Sequence, residues 1–423
     1  MTRPTKLLPD FSRRAFLAGA LGLTAAGAIG CSGGVDPTKT VTVGSDQSDD
    51  APKQAYAEML NGFEGFDVKI NTVDHETFKE GINNYLQGRP DDIFTWFAGY
   101  RARYFAEKGL VADISDVWDS IDGMADSMKN ASSTLEGEQI FMPLTYYPWG
   151  VFYRPSLFEE RGYSEPKTFD EWISLNEDML SDGLVPIGFA NKDGWEAMGM
   201  FDMLNLRVNG YDFHVSLLAG DEAWDGEKVK KVFETWGELD PYLQDAPLGR
   251  TWQEAAQGLL QKDTGTYLMG MFLQQQFAAS EEARDDLDFF IFPEVDSAIG
   301  AGVVEAPVDG FMMAAEPRNE AGAKDLLRYL STPEAVGVMI EADPSVVAAN
   351  FNADQSNYSP LQKKAVQVME EADDLSQFLD RDTRPDFAST VIGPAIQSFI
   401  REPGSINSIL DNVEKQKNSM FAG

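Results

Sequence analysis

The chain has 423 residues, of which 43% are hydrophobic and 11% aromatic, and its formal net charge at pH 7 is −35. This charge excludes nucleic acids and other polyanions as partners, because a phosphate backbone needs a basic surface that releases its counterions. The composition is that of a globular chain, and the length exceeds what one hydrophobic core usually serves, so two lobes are expected.

The first 31 residues have the pattern of an export signal. A basic segment that contains Arg13 and Arg14 precedes an uncharged run, residues 15–29, which is shorter than the roughly 20 residues of a membrane-spanning helix. The paired arginines resemble a twin-arginine signal, and the small residues before Cys31 resemble a bacterial lipobox. We therefore predict a lipoprotein signal peptide over residues 1–31, lipidation of Cys31, and a tether over residues 32–38.

Cys31 is the single cysteine of the chain, so no intramolecular disulfide is possible. Ordinary cleavage nearby, with Cys31 as a small apolar residue, is the alternative interpretation. A lone cysteine at the one position where lipidation requires it favours the lipid anchor. Two or three acyl chains would hold the protein permanently at the cell membrane.

The segment after the tether alternates strands and helices. Residues 40–44 form a short β-branched run, residues 66–73 alternate like a strand, and residues 91–96 have the composition of a buried strand. Residues 54–63 and 77–86, which lie between them, have helical spacing. This order is typical of a parallel sheet with crossover helices, in which ligands bind at the carboxyl ends of the strands.

A second α/β set begins near Gly150. Thr168 is predicted to cap a helix together with Glu171, three residues later, as a capping box. Further strands are predicted at residues 185–189, 265–270 and 288–293, and another element starts at residues 311–315. Further helices are predicted around residues 198–207, 228–239, 251–260, 320–330, 333–341 and 359–371.

Five stretches, in their order and spacing, carry a resemblance to a known family. They are PDDIF at residues 90–94, YYPWGVFYR at 146–154, PKTFDEW at 166–172, YLMGMF at 267–272 and FLDRDTRP at 378–385. From about Thr40 to its C-terminus the chain resembles the extracellular solute-binding proteins of carbohydrate ABC transporters, the group that includes maltose-binding protein.

The resemblance implies an α/β, two-lobe fold of the periplasmic-binding-protein type, with a hinge and an interlobe cleft. It places residues 36–145 and 308–365 in lobe 1, and residues 146–307 and 366–423 in lobe 2. It also implies that a sugar lies in the cleft, that the lobes close over it, and that the permease subunits of an ABC transporter receive it.

A sugar has apolar C–H faces and a rim of hydroxyls, so its site needs aromatic surfaces together with carboxylates, amides and arginines. The resemblance marks loop positions at which this chain supplies both. Trp96 is expected to face the cleft because it follows the strand that ends at Phe94. The candidate contacts from the first lobe and the crossings are Ser45, Asp46, Gln47, Trp96, Tyr147, Trp149 and Asp309. Those from the second lobe are Asn191, Asp193, Trp195, Met271, Phe272, Arg381 and Asp382.

Aromatic residues fill cores more often than pockets, so packing is the alternative for each tryptophan. Trp172, Trp236 and Trp252 lie in helical patterns and are predicted to be core or lobe-surface residues. The charged cluster at residues 380–384 has the alternative of a salt-bridged loop, in which exposed pairs contribute only about 0–1 kcal/mol each.

An enzyme would need a catalytic constellation, and the sequence offers none. His75 and His214 lie far apart without a metal-ligand pattern, and each is expected at the surface or at a helix start. A nucleophile elbow, a phosphate loop and a dinucleotide fingerprint are all missing from the sequence. We therefore expect a non-enzyme without cofactor or metal. A lipoprotein glycoside hydrolase, a binder of a non-sugar solute, and an adhesion or scaffold lipoprotein are the alternatives.

The sequence thus predicts a monomeric receptor that is lipid-anchored on the outer side of a bacterial cell membrane. It would bind a mono- or oligosaccharide and deliver it to an ABC permease by hinge closure. The spacing of the residues leaves the length of the sugar open.

Overall fold

The computed structural model describes residue 36 and residues 38–422. The predicted signal peptide, its Cys31 and the tether residues 32–35 and 37 lie outside the described residues. No helix in the described part of the chain is long and apolar enough to cross a membrane.

The first part of the chain alternates strands and helices, as the sequence predicts. The elements are β1 (Thr40–Ser45), α1 (Asp50–Asn61), β2 (Asp67–Thr72), α2 (His75–Gln87), β3 (Ile93–Phe97), α3 (Tyr100–Glu107), α4 (Ser115–Trp118), α5 (Asp126–Ala131) and β4 (Met142–Tyr146). β1 and β3 are almost wholly buried, which fits their continuous apolar and β-branched sequences.

The middle of the chain forms the second α/β set. Its elements are β5 (Trp149–Tyr153), α6 (Pro155–Arg161), α7 (Phe169–Ser181), β6 (Val185–Gly188), α8 (Glu196–Asn209), α9 (Tyr211–Leu218), α10 (Glu227–Leu239), α11 (Trp252–Leu260), β7 (Thr264–Gly270), α12 (Glu281–Asp285) and β8 (Asp288–Phe290). The capping box is confirmed, since Thr168 and Glu171 satisfy each other's backbone N–H groups at the start of α7.

The last part of the chain adds strands and helices to both the first and the second α/β region. Its elements are β9 (Val303–Glu305), β10 (Val308–Met313), α13 (Glu320–Leu330), α14 (Pro333–Ala342), β11 (Val347–Ala348), α15 (Pro360–Glu370), β12 (Asp374–Ser376), α16 (Leu379–Asp382), α17 (Pro385–Phe387), α18 (Gly393–Arg401) and α19 (Ile406–Met420). Short 3-10 segments, among them residues 271–277, and a π-helical segment at 388–392 connect these elements.

The strands form two main sheets, which define two lobes. The first lobe contains a six-stranded sheet with the order β11-β4-β10-β3-β1-β2, in which β1 is parallel to β2 and β3 while β10 is antiparallel to β3 and β4. The second lobe contains a four-stranded sheet with the order β6-β7-β5-β8. Helices cover these sheets with apolar faces, as in α10, where Val229, Val232, Phe233 and Trp236 are buried on one side.

Within residues 38–422, the chain crosses between the two lobes three times. The first crossing is short, because β4 ends at Tyr146 in one sheet and β5 begins at Trp149 in the other. The second leads from β8 to β10, and the third leads from α15 to α16. On these two crossings β9 and β12 pair in parallel as a separate two-stranded sheet. The boundaries of the lobes, residues 36–145 with 308–365 and 146–307 with 366–423, stay a prediction.

Asp92, from the PDDIF stretch, connects three segments of the first lobe. Its Oδ2 accepts hydrogen bonds from the backbone N and the hydroxyl of Thr42 in β1, at 2.8 and 2.9 Å. Its Oδ1 accepts the backbone N–H groups of Arg318 and Asn319, before α13, at 2.6 and 3.1 Å. A buried carboxylate whose two oxygens each face two donors is well satisfied, and it fixes β1 against the loop that enters α13.

We expect Asp92→Asn to lower the free energy of unfolding by about 3 kcal/mol, although the amide is almost isosteric. The amide NH₂ group must face two hydrogen-bond donors, whichever way the side chain is flipped. Urea unfolding followed by circular dichroism measures the change. Asp67→Asn, at an exposed position of β2, is the matched control that removes one carboxylate charge and should change stability little. Equal stability of the two variants would contradict the role given to Asp92.

Candidate functional site

A cavity of about 340 Å³ lies between the two lobes. Its walls come from the ends of strands, from the starts of helices and from all three chain crossings. Nine of the residues proposed from the sequence line this cavity: Asp46, Gln47, Tyr147, Trp149, Asp193, Trp195, Phe272, Asp309 and Arg381. Their role in contacting a ligand stays a proposal.

The floor of the cavity is held by Arg381, on the third crossing. Its guanidinium donates to Asp309 Oδ1 at 2.8 Å and to the hydroxyl of Tyr147 at 3.1 Å, and it lies 4.1 Å from the centre of the Phe97 ring. Burial raises the pKa of Asp309, although the charge of Arg381 opposes this. Tyr147 belongs to the first crossing and Asp309 to the second, so one side chain ties all three crossings together.

Asp46 and His75 form a pair on the wall of the first lobe. Asp46 follows β1 and is buried, and its Oδ1 accepts the Thr95 hydroxyl at 2.7 Å and the Gln47 amide at 2.8 Å. Its Oδ2 lies 3.2 Å from Nδ1 of His75, the first residue of α2. Burial on its own would lower the pKa of His75, but the hydrogen bond to Asp46 and its charge outweigh burial and raise that pKa.

The same helix places Lys79 one turn further along the wall. Its Nζ lies 2.8 Å from Oδ2 of Asp380 on α16, and Arg101 approaches the same oxygen to 3.6 Å. Burial alone would raise the pKa of Asp380, but the charges of Lys79, Arg101 and Arg381 lower it to about 2. Asp380 therefore remains a carboxylate at any physiological pH.

The wall of the second lobe is aromatic and is centred on Phe272, directly after β7. Its ring centre lies 5.4 Å from that of Tyr147, 6.4 Å from Trp149, 6.2 Å from Trp195 and 5.1 Å from Trp252. Three of these contacts are edge-on and the one with Trp195 is tilted, which are favourable arrangements for aromatic rings. The cavity thus has charged pairs mainly on one side and aromatic surface mainly on the other.

Trp96 does not reach the cavity, so the expectation for this residue is wrong. β3 continues to Phe97, and side chains alternate between the two faces of a strand. Phe97 and Thr95 therefore point to the cavity side, whereas Trp96 packs against Phe78 of α2 and Phe105 of α3. Its side chain is 1% exposed.

Four other proposed residues also have structural roles away from the cavity. Ser45 accepts the backbone N–H of Gln47, and the buried Asn191 accepts that of Ala197 near the start of α8. Met271 is buried in the core, and its backbone N–H donates to the carbonyl oxygen of Pro148 in the first crossing. Asp382 accepts the backbone N–H of Tyr100 at 3.1 Å and thereby holds the start of α3. Each of these residues is close in the chain to residues that line the cavity, but its own side chain packs or bonds within the protein.

The sequence interpretation missed several residues that line the cavity, among them His75, Lys79, Trp252, Gln275 and Asp343. Trp252 was expected in the core or on the lobe surface, but it begins α11, and the start of that helix borders the cavity. His75 is at a helix start as expected. His214, in contrast, is fully buried, with Nδ1 2.9 Å from the Asn205 amide. Trp172 and Trp236 are core residues, as predicted.

The arrangement offers directional hydrogen bonds and flat apolar surfaces, which suit reversible binding. Gln275, from the second lobe, donates to both Asp343 and Ser345 of the first lobe, so amide groups also reach across the cavity. Among the described residues, no group of three or more His, Cys, Asp or Glu side chains is arranged to hold a metal ion.

We expect Trp96→Ala to lower the free energy of unfolding by about 3–5 kcal/mol, because it leaves a large void in the core between β3, α2 and α3. Denaturant unfolding measures the change. Phe351→Ala, at a position that is 60% exposed, should change stability by no more than about 0.5 kcal/mol. A small effect at Trp96 would mean that its side chain is not packed as described.

The pair of His75 and Asp46 makes stability depend on pH. The raised pKa of His75 gives stabilisation that is present below 6.5, its ordinary value, and is lost as the pH rises through the folded-state pKa. The lowered pKa of Asp46 gives stabilisation that is present above 3.8 and is lost as the pH falls through its folded-state pKa. The pair should therefore stabilise the protein most between about pH 4 and pH 6.5.

We expect His75→Gln to reduce the free energy of unfolding more at pH 5.5 than at pH 8.5. The difference should stay within about 1 kcal/mol, because the imidazole is 39% exposed and solvent screens the pair. Denaturant titrations of both proteins at the two pH values measure it. A deficit in the variant that is equal at both pH values, or larger at pH 8.5, would contradict this assignment.

Comparisons with known proteins all find similarity to proteins that bind solutes outside the cell. The profile of the bacterial extracellular solute-binding proteins matches residues 44–337. The crystal structure of the bacterial solute receptor AcbH, described as having an exclusive preference for β-D-galactopyranose, aligns with a TM-score of 0.88 at 41% identity and covers 90% of this chain and 99% of AcbH.

Two curated relatives are more distant. An ABC transporter extracellular-binding protein of Pyrococcus horikoshii is 24% identical over 383 residues, which are 84% of this chain and 83% of the relative. The α-glucosides-binding periplasmic protein AglE of Rhizobium meliloti is 24% identical over 336 residues, which are 74% and 72% of the two chains. With its two α/β lobes and the cavity between them, the chain belongs to the family of bacterial extracellular solute-binding proteins.

Proposed function

We propose that the protein is the monomeric receptor of a sugar ABC transporter, which binds a small neutral sugar in the interlobe cavity and delivers it to the permease. The observation that carries this proposal is the division of the cavity into an aromatic wall and a wall of paired charged groups. A sugar ring has both kinds of surface, since its C–H face stacks on aromatic rings and its hydroxyls bond to fixed polar groups.

The charges in the cavity favour a neutral ligand. Each of the three basic side chains that line it, His75, Lys79 and Arg381, already pairs with a carboxylate. A sugar phosphate or a uronic acid would have to displace one of these carboxylates and would also meet Asp49 and Asp193 at exposed positions of the wall. Hydroxyls, in contrast, can bond to the paired groups without separating them.

The size of the cavity favours a monosaccharide. Its volume of about 340 Å³ lies at the lower end of the roughly 300–1,000 Å³ that is usual for ligand pockets. The 41% identity to AcbH over nearly the whole chain supports β-D-galactopyranose as the first sugar to test. Binding would hold both lobes in the closed arrangement and would shift the population towards it.

The proposal also covers the location and the absence of catalysis. The family is extracellular, and we propose that acyl chains on Cys31, together with the tether of residues 32–38, attach the receptor to the outer side of the cell membrane. Cleft carboxylates such as Asp309 and Asp380 are engaged in ion pairs, which leaves them poorly suited as the acid and base of a glycoside hydrolase.

Isothermal titration of the purified protein with D-galactose, D-glucose, maltose and D-galacturonate tests the proposal. We expect D-galactose to bind with saturation and D-galacturonate to bind at least about 100-fold more weakly, because the ligand carboxylate would meet the carboxylates of the wall. Trp195→Ala should weaken the binding of the preferred sugar by about 1–3 kcal/mol with little change in stability, because Trp195 is half-buried at the cavity wall.

Phe351→Ala serves as the control, because it removes an exposed ring away from the cavity lining. Binding by the Trp195 variant with unchanged affinity would remove this residue from the site. Release of reducing sugar from maltose by the protein, or no binding of any sugar in the panel, would overturn the proposed function.

A further inference from the structure

A buried ion pair crosses the cavity between the two lobes. Lys79 lies on α2, which connects β2 and β3 of the six-stranded sheet. Asp380 lies on α16, which packs against α8 and α9 of the second lobe and also meets α3 of the first lobe. Lys79 Nζ is 2.8 Å from Asp380 Oδ2, and the two side chains are 14% and 7% exposed. Ion pairs at exposed sites contribute little, whereas this pair is largely shielded from solvent.

Lys79 has a second contact with the other lobe. Its ammonium group lies 5.9 Å from the ring centre of Trp195, which immediately precedes α8. A cation near an indole ring is attracted by the π electrons, and the attraction is larger when water is excluded. Lys79 therefore pairs with one group of the second lobe and lies near another.

Each member of the pair has another partner within its own surroundings. Lys79 lies 3.8 Å from Glu76, one turn earlier on α2. Asp380 also has Arg101, at 3.6 Å, whose guanidinium lies 5.2 Å from the centre of the buried Trp96 ring. When the lobes separate, Lys79 keeps Glu76 on its own helix, and Asp380 keeps the nearby charge of Arg381, the next residue on α16.

The start of α3 makes a second contact between the first lobe and α16. The backbone N–H of Tyr100 donates to Asp382 Oδ1 at 3.1 Å, and Arg101 itself reaches the carbonyl oxygen of Asp380 at 3.5 Å. Arg101 and Lys79 both belong to the first lobe, so both basic side chains face Asp380 across the boundary between the lobes.

We propose that Lys79 and Asp380 form an interlobe latch that closes the cleft in the absence of ligand. Because both charges keep a partner on opening, the latch can open and close without burying an unpaired charge. The latch itself rests on the two-lobe structure, and only its effect on sugar affinity rests on the proposed function. The apparent affinity for sugar is proportional to the fraction of the protein that is closed before binding. A latch that raises this fraction therefore raises the apparent affinity by the same factor.

The test compares Lys79→Met with the unchanged protein in the absence of any sugar. Spin labels on the two lobes, attached to E64C and E177C in a C31S background, report the interlobe distance by pulsed electron resonance. Glu64 and Glu177 are exposed, and Cys31 is the one native cysteine. Small-angle scattering of the unlabelled proteins gives the radius of gyration as a second measurement.

We expect the unchanged protein to show a dominant short interlobe distance and Lys79→Met to shift it to longer values with a larger radius of gyration. Raising the salt from 0.1 to 1 M should shift the unchanged protein in the same direction and leave the variant unaffected, because salt stabilises the separated, solvent-exposed charges of the open state more than the shielded pair of the closed state. Lys230→Met, which removes a lysine paired with Glu227 within α10, is the matched control and should behave like the unchanged protein. Lys79→Arg, which keeps the charge, should restore the short distance.

Identical ligand-free distance distributions for Lys79→Met and the unchanged protein would overturn the latch. Thermal unfolding checks that the variant is folded, and Lys79→Gln provides a second uncharged variant should Lys79→Met lose its fold. With D-galactose as the probe, the latch variant should bind at least about 3-fold more weakly, because the closed fraction falls and because an ammonium group that lines the cavity is lost. Failure of every sugar to bind, with the distance shift intact, would reject the proposed function and leave the latch established.

Discussion

The geometry of the cavity depends on one buried guanidinium. Arg381 bonds to Tyr147 on the first crossing and to Asp309 on the second, while it belongs to the third itself. A guanidinium offers several N–H donors in a fixed plane, so a single side chain can hold three segments in one arrangement. Because the crossings are also the hinge, the same contacts that shape the floor of the cavity define the point about which the lobes can move.

Around this floor the two lobes contribute different chemistry. The first lobe supplies charged groups that are paired before any ligand arrives, such as Asp46 with His75, and these pairs present hydrogen-bond donors and acceptors with little net charge. The second lobe supplies aromatic surface around Phe272, whose ring contacts those of Trp195 and Trp252. A ligand therefore has to contact both lobes to use both kinds of interaction, which links binding to closure.

In the proposed latch, closure of the lobes would have a contribution that does not come from ligand. Lys79 reaches Asp380 and approaches the ring of Trp195 across the cavity. Elsewhere, the uncharged amide of Gln275 donates hydrogen bonds to Asp343 and Ser345 of the other lobe. Direct contacts of this kind raise the population of closed receptor before binding, so less of the energy of ligand binding is needed for the conformational change. A receptor with such contacts gains affinity for small ligands, which have few groups to bridge the lobes.

The sequence by itself determined many of the helices and strands, because apolar periodicity and caps such as Thr168 with Glu171 are local signals. Together with the family resemblance, it also pointed to nine of the residues that line the cavity, at loop positions that follow strands, as for Asp46 and Phe272. Only the tertiary structure decided which neighbours face the cavity. β3 runs further than its sequence indicates, which turns Trp96 into the core and Phe97 towards the cleft, and a shift of one residue in a strand reverses the face of each side chain. His75 likewise became part of the site only when α2 folded against Asp46, since a contact between distant segments leaves no local pattern in the chain.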